Sequence, residues 1–176
     1  GALYFWTHNT VITNNEYTAD DYASYTLTGG TGTGGVGNFV DANNNGIMDP
    51  VEEVVSNRPL GKIAAGQSFF VENAAAGSFQ FTNTMRVAGN NSQFFKQANT
   101  KKTATIEKNR VWLNLTNSGG AFKQLLVGYI TGATNDWDNL YDGPTFDGQE
   151  FVDFYSVNQG KNLTIQGRAL PFVDTD

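Results

Sequence analysis

The sequence predicts an all-β fold, a jelly-roll-like β-sandwich, and three observations carry that prediction. Apolar residues come in short runs of strand length, several alternating with period two, and none has the sustained 3.6-residue period of a helix. The punctuation between runs is dense: 20 glycines, with Asn and Thr abundant and only 4 prolines, the composition of many strands joined by turns. The apolar fraction is 39%, with 13 Phe, 7 Tyr and 3 Trp against 16% charged residues, which is enough to fill one core in a chain of 176 residues. Residues 1–176 therefore read as a single domain.

Taken in order, Ala2-Leu3-Tyr4-Phe5-Trp6 is an aromatic run of high strand propensity, and Val11-Ile12-Thr13 is a shorter one before Asn14-Asn15-Glu16 turns the chain. Residues 28–38 are nearly all Gly and Thr, carry no apolar face, and predict a long Gly-rich surface loop. Residues 67–71 and 78–82 predict strands, the second burying Phe79 and Phe81 on one side, with Ala74-Ala75-Ala76-Gly77 turning between them. Residues 104–115 alternate through Ile106, Val111, Leu113 and Leu115 with Trp112 on the other phase, as one long strand or a hairpin about Lys108-Asn109. Residues 123–130 are almost continuously apolar, the pattern of a central strand covered on both faces. Residues 135–150 interleave Asp136, Asp138, Asp142, Asp147 and Glu150 with Trp137, Tyr141 and Phe146, and Gly143-Pro144 and Gly148 break the run, so a long structured loop is expected. Strands at 151–157 and 162–168 close the order.

Composition also excludes much chemistry. Without Cys there is no disulfide, thiolate metal site or cysteine nucleophile, and one His cannot build a poly-histidine metal centre. A net charge of −6 disfavours nucleic acid as a partner, because phosphate binding needs a basic surface. Lys96, Lys101 and Lys102, the one basic cluster, read as a solvated face. No apolar run approaches the roughly 20 residues of a membrane helix, so no membrane insertion is expected. His8 lies among aromatic and Thr residues with no Gly-x-Ser-x-Gly elbow anywhere, and no two carboxylates are paired by the sequence as glycoside hydrolysis requires. The expectation is a protein that is not an enzyme.

The most specific motif is Asp41-Ala42-Asn43-Asn44-Asn45-Gly46-Ile47-Met48-Asp49-Pro50-Val51-Glu52, which fills every position of a calcium loop. Asp41, Asn43, Asn45 and Asp49 place oxygen atoms at alternate positions, Gly46 supplies the tight turn, Ile47 offers its carbonyl, and Glu52 can grip with both oxygens. Ca2+ accepts such an all-oxygen shell, whereas Mg2+ prefers more water. The flanks are not those of a paired EF-hand: residues 37–40 are poor helix formers and Pro50 permits only a short helical turn. The loop is thus similar to the isolated calcium loops of dockerins and thrombospondin type 3 repeats, inserted into the sandwich at 41–52. The alternative is an Asn- and Gly-rich surface turn that meets the pattern by chance.

A second candidate surface is the acidic aromatic loop. Trp137 and Tyr141 offer flat faces for a sugar ring and Asp138 and Asp142 offer hydroxyl partners, making glycans a possible class of ligand; equally, the aromatics can plug the end of the sandwich. Asp136, Asp138, Asn139 and Asp142 resemble part of a second calcium shell without completing one.

Several phrases occur together: Leu3-Tyr4-Phe5-Trp6-Thr7-His8-Asn9-Thr10, Asp21-Tyr22-Ala23-Ser24-Tyr25, Ile63-Ala64-Ala65-Gly66-Gln67-Ser68-Phe69-Phe70-Val71, Val111-Trp112-Leu113-Asn114-Leu115-Thr116 and Gly167-Arg168-Ala169-Leu170-Pro171-Phe172. In these the chain resembles a β-rich domain near the C-terminal end of exported proteins of flavobacteria and related Bacteroidetes that use the type IX secretion system. The resemblance implies a secreted or outer-surface location and an excerpt of a larger multidomain protein, in which the partners are other domains of the parent. The calcium loop is absent from many such relatives. Two functions remain in view: a noncatalytic, calcium-stabilised structural or presenting module, and a carbohydrate-binding or adhesion module using residues 135–150.

Overall fold

A computed structural model of the chain describes residues 1–7, 12–13, 16–17, 22–33, 58–73, 75–88, 109–117, 122–146 and 152–172. The fold is all-β: helix among the described residues is limited to one 3₁₀ turn at Asn83–Met85.

The first strand, β1 (Leu3–Trp6), is the aromatic opening of the chain. A small hairpin follows, β2 (Ile12–Thr13) against β3 (Glu16–Tyr17), and then β4 (Tyr22–Thr26) returns antiparallel to β1, with Tyr4 opposite Ser24 and Trp6 opposite Tyr22. With β5 (Gly29–Thr31) beside β4, and β6 (Phe70–Val71) beside β1, the first sheet has the order β5-β4-β1-β6. The second sheet is built from the C-terminal part. Here β7 (Arg110–Thr116) pairs antiparallel with β8 (Phe122–Tyr129), β8 lies parallel to β11 (Lys161–Arg168), and β11 pairs with β10 (Ser156–Asn158) and with the two-residue β9 (Gly143–Pro144).

Period two decides what each sheet buries. Tyr4 and Trp6 point with Tyr22, Ser24 and Thr26 into the space between the sheets. Their neighbours Phe5 and Ala23 turn to the other side and are buried as well, Phe5 against Phe69 at 6.1 Å. The first sheet is thus covered on its outer face, where Pro59 lies over Gly30 and Gly61 over the Tyr25 ring. In the second sheet Leu126, Leu163 and Ile165 are fully buried, and β8 is covered on both faces as its apolar run predicts.

The two sheets meet where side chains are missing. Gly128 of β8 and Gly167 of β11 are register partners, so two adjacent strands leave a dent in one place. Thr28, in the turn between β4 and β5, fills it: a Cβ on Gly128 would stand 2.7 Å from Thr28 Cγ2, and one on Gly167 would stand 2.7 Å from Thr28 Oγ1 and 2.6 Å from Tyr141 Cβ. Trp112 Nε1 donates to Gly30 O at 3.0 Å and Arg110 Nε donates to Thr28 O, which ties β7 to the same turn. Gln124, buried in β8, accepts from the Gly32 amide at 3.1 Å and donates to Asn114 Oδ1 at 2.7 Å.

Five sequence expectations need correction. The Gly-rich stretch from 28 is not a surface loop in its described part: residues 28–33 are almost wholly buried and include β5, because Gly30 passes directly beneath Pro59 and the lack of side chains is what permits that approach. Residues 34–38 lie outside the described residues. The run 78–82 is not a strand, and Phe79 and Phe81 are 56% and 74% exposed; no described strand pairs with it, and alternation buries a face only where a ladder fixes the chain. Phe81 only caps the edge of Phe69, at 6.3 Å. Of 67–71 only Phe70–Val71 joins a sheet, and of the described residues 152–157 only the end does, as β10. Gly143-Pro144 pairs with β11, an edge position where the missing Pro N–H costs no ladder bond.

Candidate functional site

The acidic aromatic loop folds back on itself through two aspartates. The Asp138 carbonyl accepts the Tyr141 amide at 3.1 Å and the Asp142 amide at 2.7 Å, and Asp138 Oδ1 accepts the Leu140 amide at 3.0 Å, a local turn of the kind Asp favours. Asp142 is 0% exposed. Its Oδ2 accepts the Asp138 amide and its Oδ1 accepts the Gly167 amide, each at 2.8 Å, so one carboxylate ties the loop to β11. Burial pushes the Asp142 pKa up from its ordinary value, the two backbone donors and Arg168 act against that rise, and the Asp138 charge adds to it.

The backbone between these aspartates is the dock for the β4–β5 turn. Tyr141 O accepts from both Thr26 Oγ1 (2.9 Å) and Thr28 Oγ1 (2.6 Å), and Leu140 O accepts the Leu27 amide at 3.0 Å. Further along, Phe146 stacks on Tyr4 at 4.7 Å and meets the edge of Tyr22 at 4.7 Å, closing an aromatic cluster with Trp6 and Phe70. The Tyr4 hydroxyl lies 2.9 Å from Glu72 Oε2 and 3.0 Å from Pro144 O, and burial together with Glu72 drives its pKa upwards.

The two aromatic candidates take separate neighbours. Trp137 is half-buried beneath the Lys161 ammonium, 4.6 Å from the ring centroid, and its amide donates to Gln159 Oε1 at 3.3 Å. Gln159, at the left-handed position of the β10–β11 turn (φ 49°), donates in turn to Asp136 Oδ1 at 2.8 Å. Tyr141 is half-buried and lies over Gly132, where a Cβ would come within 2.6 Å of its hydroxyl. Asn158 Nδ2 donates to Asn135 O at 3.2 Å, and Asn135 Oδ1 accepts the Ala169 amide at 3.1 Å.

Trp137, Asp138, Tyr141 and Asp142 are therefore brought into one loop whose polar atoms are turned on the protein itself. The partial second calcium shell is not assembled: Asp136, Asp138 and Asp142 each hold a different donor, and among the described residues no three His, Asp or Glu side chains converge. Asp41, Asn43, Asn45, Ile47, Asp49 and Glu52 lie outside the described residues. What sequence reasoning missed is Thr28 and the Gly128–Gly167 pair. The available signal was a lone Gly inside each of two strand patterns, which marks close approach of another backbone.

The model of a family described as a domain of unknown function (DUF8693) matches residues 1–176. No curated protein matches the chain, and no solved structure does.

Proposed function

This chain belongs to the DUF8693 family, a domain of unknown function, and we propose that it serves as a noncatalytic structural or presenting module of a secreted or cell-surface bacterial protein, stabilised by Ca2+ in the 41–52 loop. The observation that carries this reading is the use to which the acidic aromatic loop is put. Asp142 is wholly buried on two backbone amides and Tyr141 O is the acceptor for two threonines, so the loop's polar groups hold the sheets together. A sugar platform needs flat faces free to stack, and one face of Trp137 carries the Lys161 ammonium. The calcium part of the reading rests on the complete ligand pattern from Asp41 to Glu52.

The test is Trp137→Ala, read by melting temperature and by retention on a panel of immobilised glycans. A structural module loses melting temperature and is not retained even as wild type. Unchanged stability with lost retention would replace this reading by the carbohydrate-binding one.

A further inference from the structure

We propose that the two sheets share one buried water, held in a polar cavity where β5 faces β8 and β11. Thr31, Gly32, Gln124 and Thr164 are among the residues that line this cavity. Its volume is about 10 Å³, room for one water and for nothing larger. Thr31, Gln124 and Thr164 are 3%, 3% and 5% exposed, so their polar atoms must be satisfied from within.

The direction of Thr31 follows from its strand. Gly30 faces Pro59 on the outer side of the first sheet, and Thr31, the register partner of Ser24, therefore turns to the inner side, towards β8. The protein's own bonds leave capacity unused on this lining. The Thr31 hydroxyl makes no hydrogen bond among the described residues. Gln124 Oε1 accepts the Gly32 amide and has a second lone pair, and Thr164 Oγ1 gives its proton to Gln124 O at 3.1 Å and keeps its lone pairs. A water can accept the Thr31 proton and donate its own to Gln124 and Thr164, about the number of bonds a buried water makes. Lys123, on the same lining, is held by Asp153 Oδ1 at 3.1 Å, so its charge is balanced and the occupant is neutral rather than an anion. The water joins β5 of the first sheet to β8 and β11 of the second, beside the direct bond from Gly32 to Gln124.

Magnetic relaxation dispersion of the water signal tests this on the whole chain, because it counts waters that stay inside the protein longer than the molecule takes to tumble. Wild type should hold at least one such water, and Thr31→Val, which keeps the shape and removes the hydroxyl, should hold one fewer. Thr31→Val should also raise the unfolding equilibrium constant roughly fivefold, the loss of one hydrogen bond. The sign separates the alternatives: in a dry cavity the same change removes a buried, unpaired hydroxyl and leaves stability equal or higher. A crystal structure of the wild type gives a reading free of variants, with an ordered water expected within about 3.2 Å of Thr31 Oγ1. No ordered water at that place, a dispersion unchanged by Thr31→Val, or a Thr31→Val protein at least as stable as wild type would overturn the inference.

Discussion

Asp142 shows how one side chain can carry both a structural bond and a pH dependence. Replacing it with Ala leaves the Asp138 and Gly167 amides buried without their acceptor, and a loss of about 2–4 kcal/mol in unfolding free energy by urea titration is expected. The sign of the pH effect follows from the upward shift. A carboxyl whose pKa is higher folded than unfolded binds its proton more tightly in the native state, so its contribution is fully present below the ordinary value of 3.8 and is lost as pH rises through the folded pKa. The stability difference between wild type and Asp142→Asn should therefore shrink as pH increases across that window. A difference that widens would reverse the assignment. Glycine gives the second residue-scale case: Gly167→Ala forces a Cβ against Thr28 and Tyr141 and should cost about 1–3 kcal/mol, whereas Gly77→Ala, exposed and with no atom nearer than 3.6 Å, should be nearly neutral.

At the scale of the element, the loop from Thr131 to Phe146 behaves as a strut between sheets. Its hold on the β10–β11 turn runs through Trp137, Gln159 and Lys161. Trp137→Ala is expected to remove about 2 kcal/mol, seen as a fall of ~4–8 °C in melting temperature for a chain of this size. The calcium loop offers an independent test. Three charged ligands among its side chains place it at the weak, extracellular end of calcium affinities, with Kd roughly 10⁻⁴ to 10⁻³ M. Calcium at ten times Kd should then raise stability by about 1.4 kcal/mol, an increment that Asp41→Ala abolishes. Calorimetry without calcium-dependent heat, together with a melting curve insensitive to calcium, would remove the ion from the proposed function.

Over the whole molecule, one contact that couples the N-terminal sheet to the C-terminal sheet is Thr28 entering the dent above Gly128 and Gly167, beside the bonds from Trp112 to Gly30 and from Gly32 to Gln124. A double-mutant cycle reads that coupling directly. Gly128→Ala should cost clearly less in a Thr28→Ser background, because Ser keeps the hydroxyl bonded to Tyr141 O and removes the Cγ2 that the new methyl would strike; the expected interaction energy is at least about 0.5 kcal/mol. Additive effects would mean that the sheets are not joined through this contact. The sequence by itself determined the all-β class, the central strand, expected at 123–130 and found at Phe122–Tyr129, the aromatic opening strand and the back-folded loop, because period, propensity and turn chemistry are local properties. It also determined the ligand pattern from Asp41 to Glu52, since that signal is a fixed spacing. Only the tertiary structure decided that Gly29–Thr31 is a buried strand while Phe79 and Phe81 are exposed, and that Trp137 and Tyr141 take separate neighbours. Burial depends on which distant segment supplies the covering surface or the ladder partner, and Pro59 over Gly30 or Thr28 over Gly167 is a contact between residues whose spacing along the chain carries no trace of it.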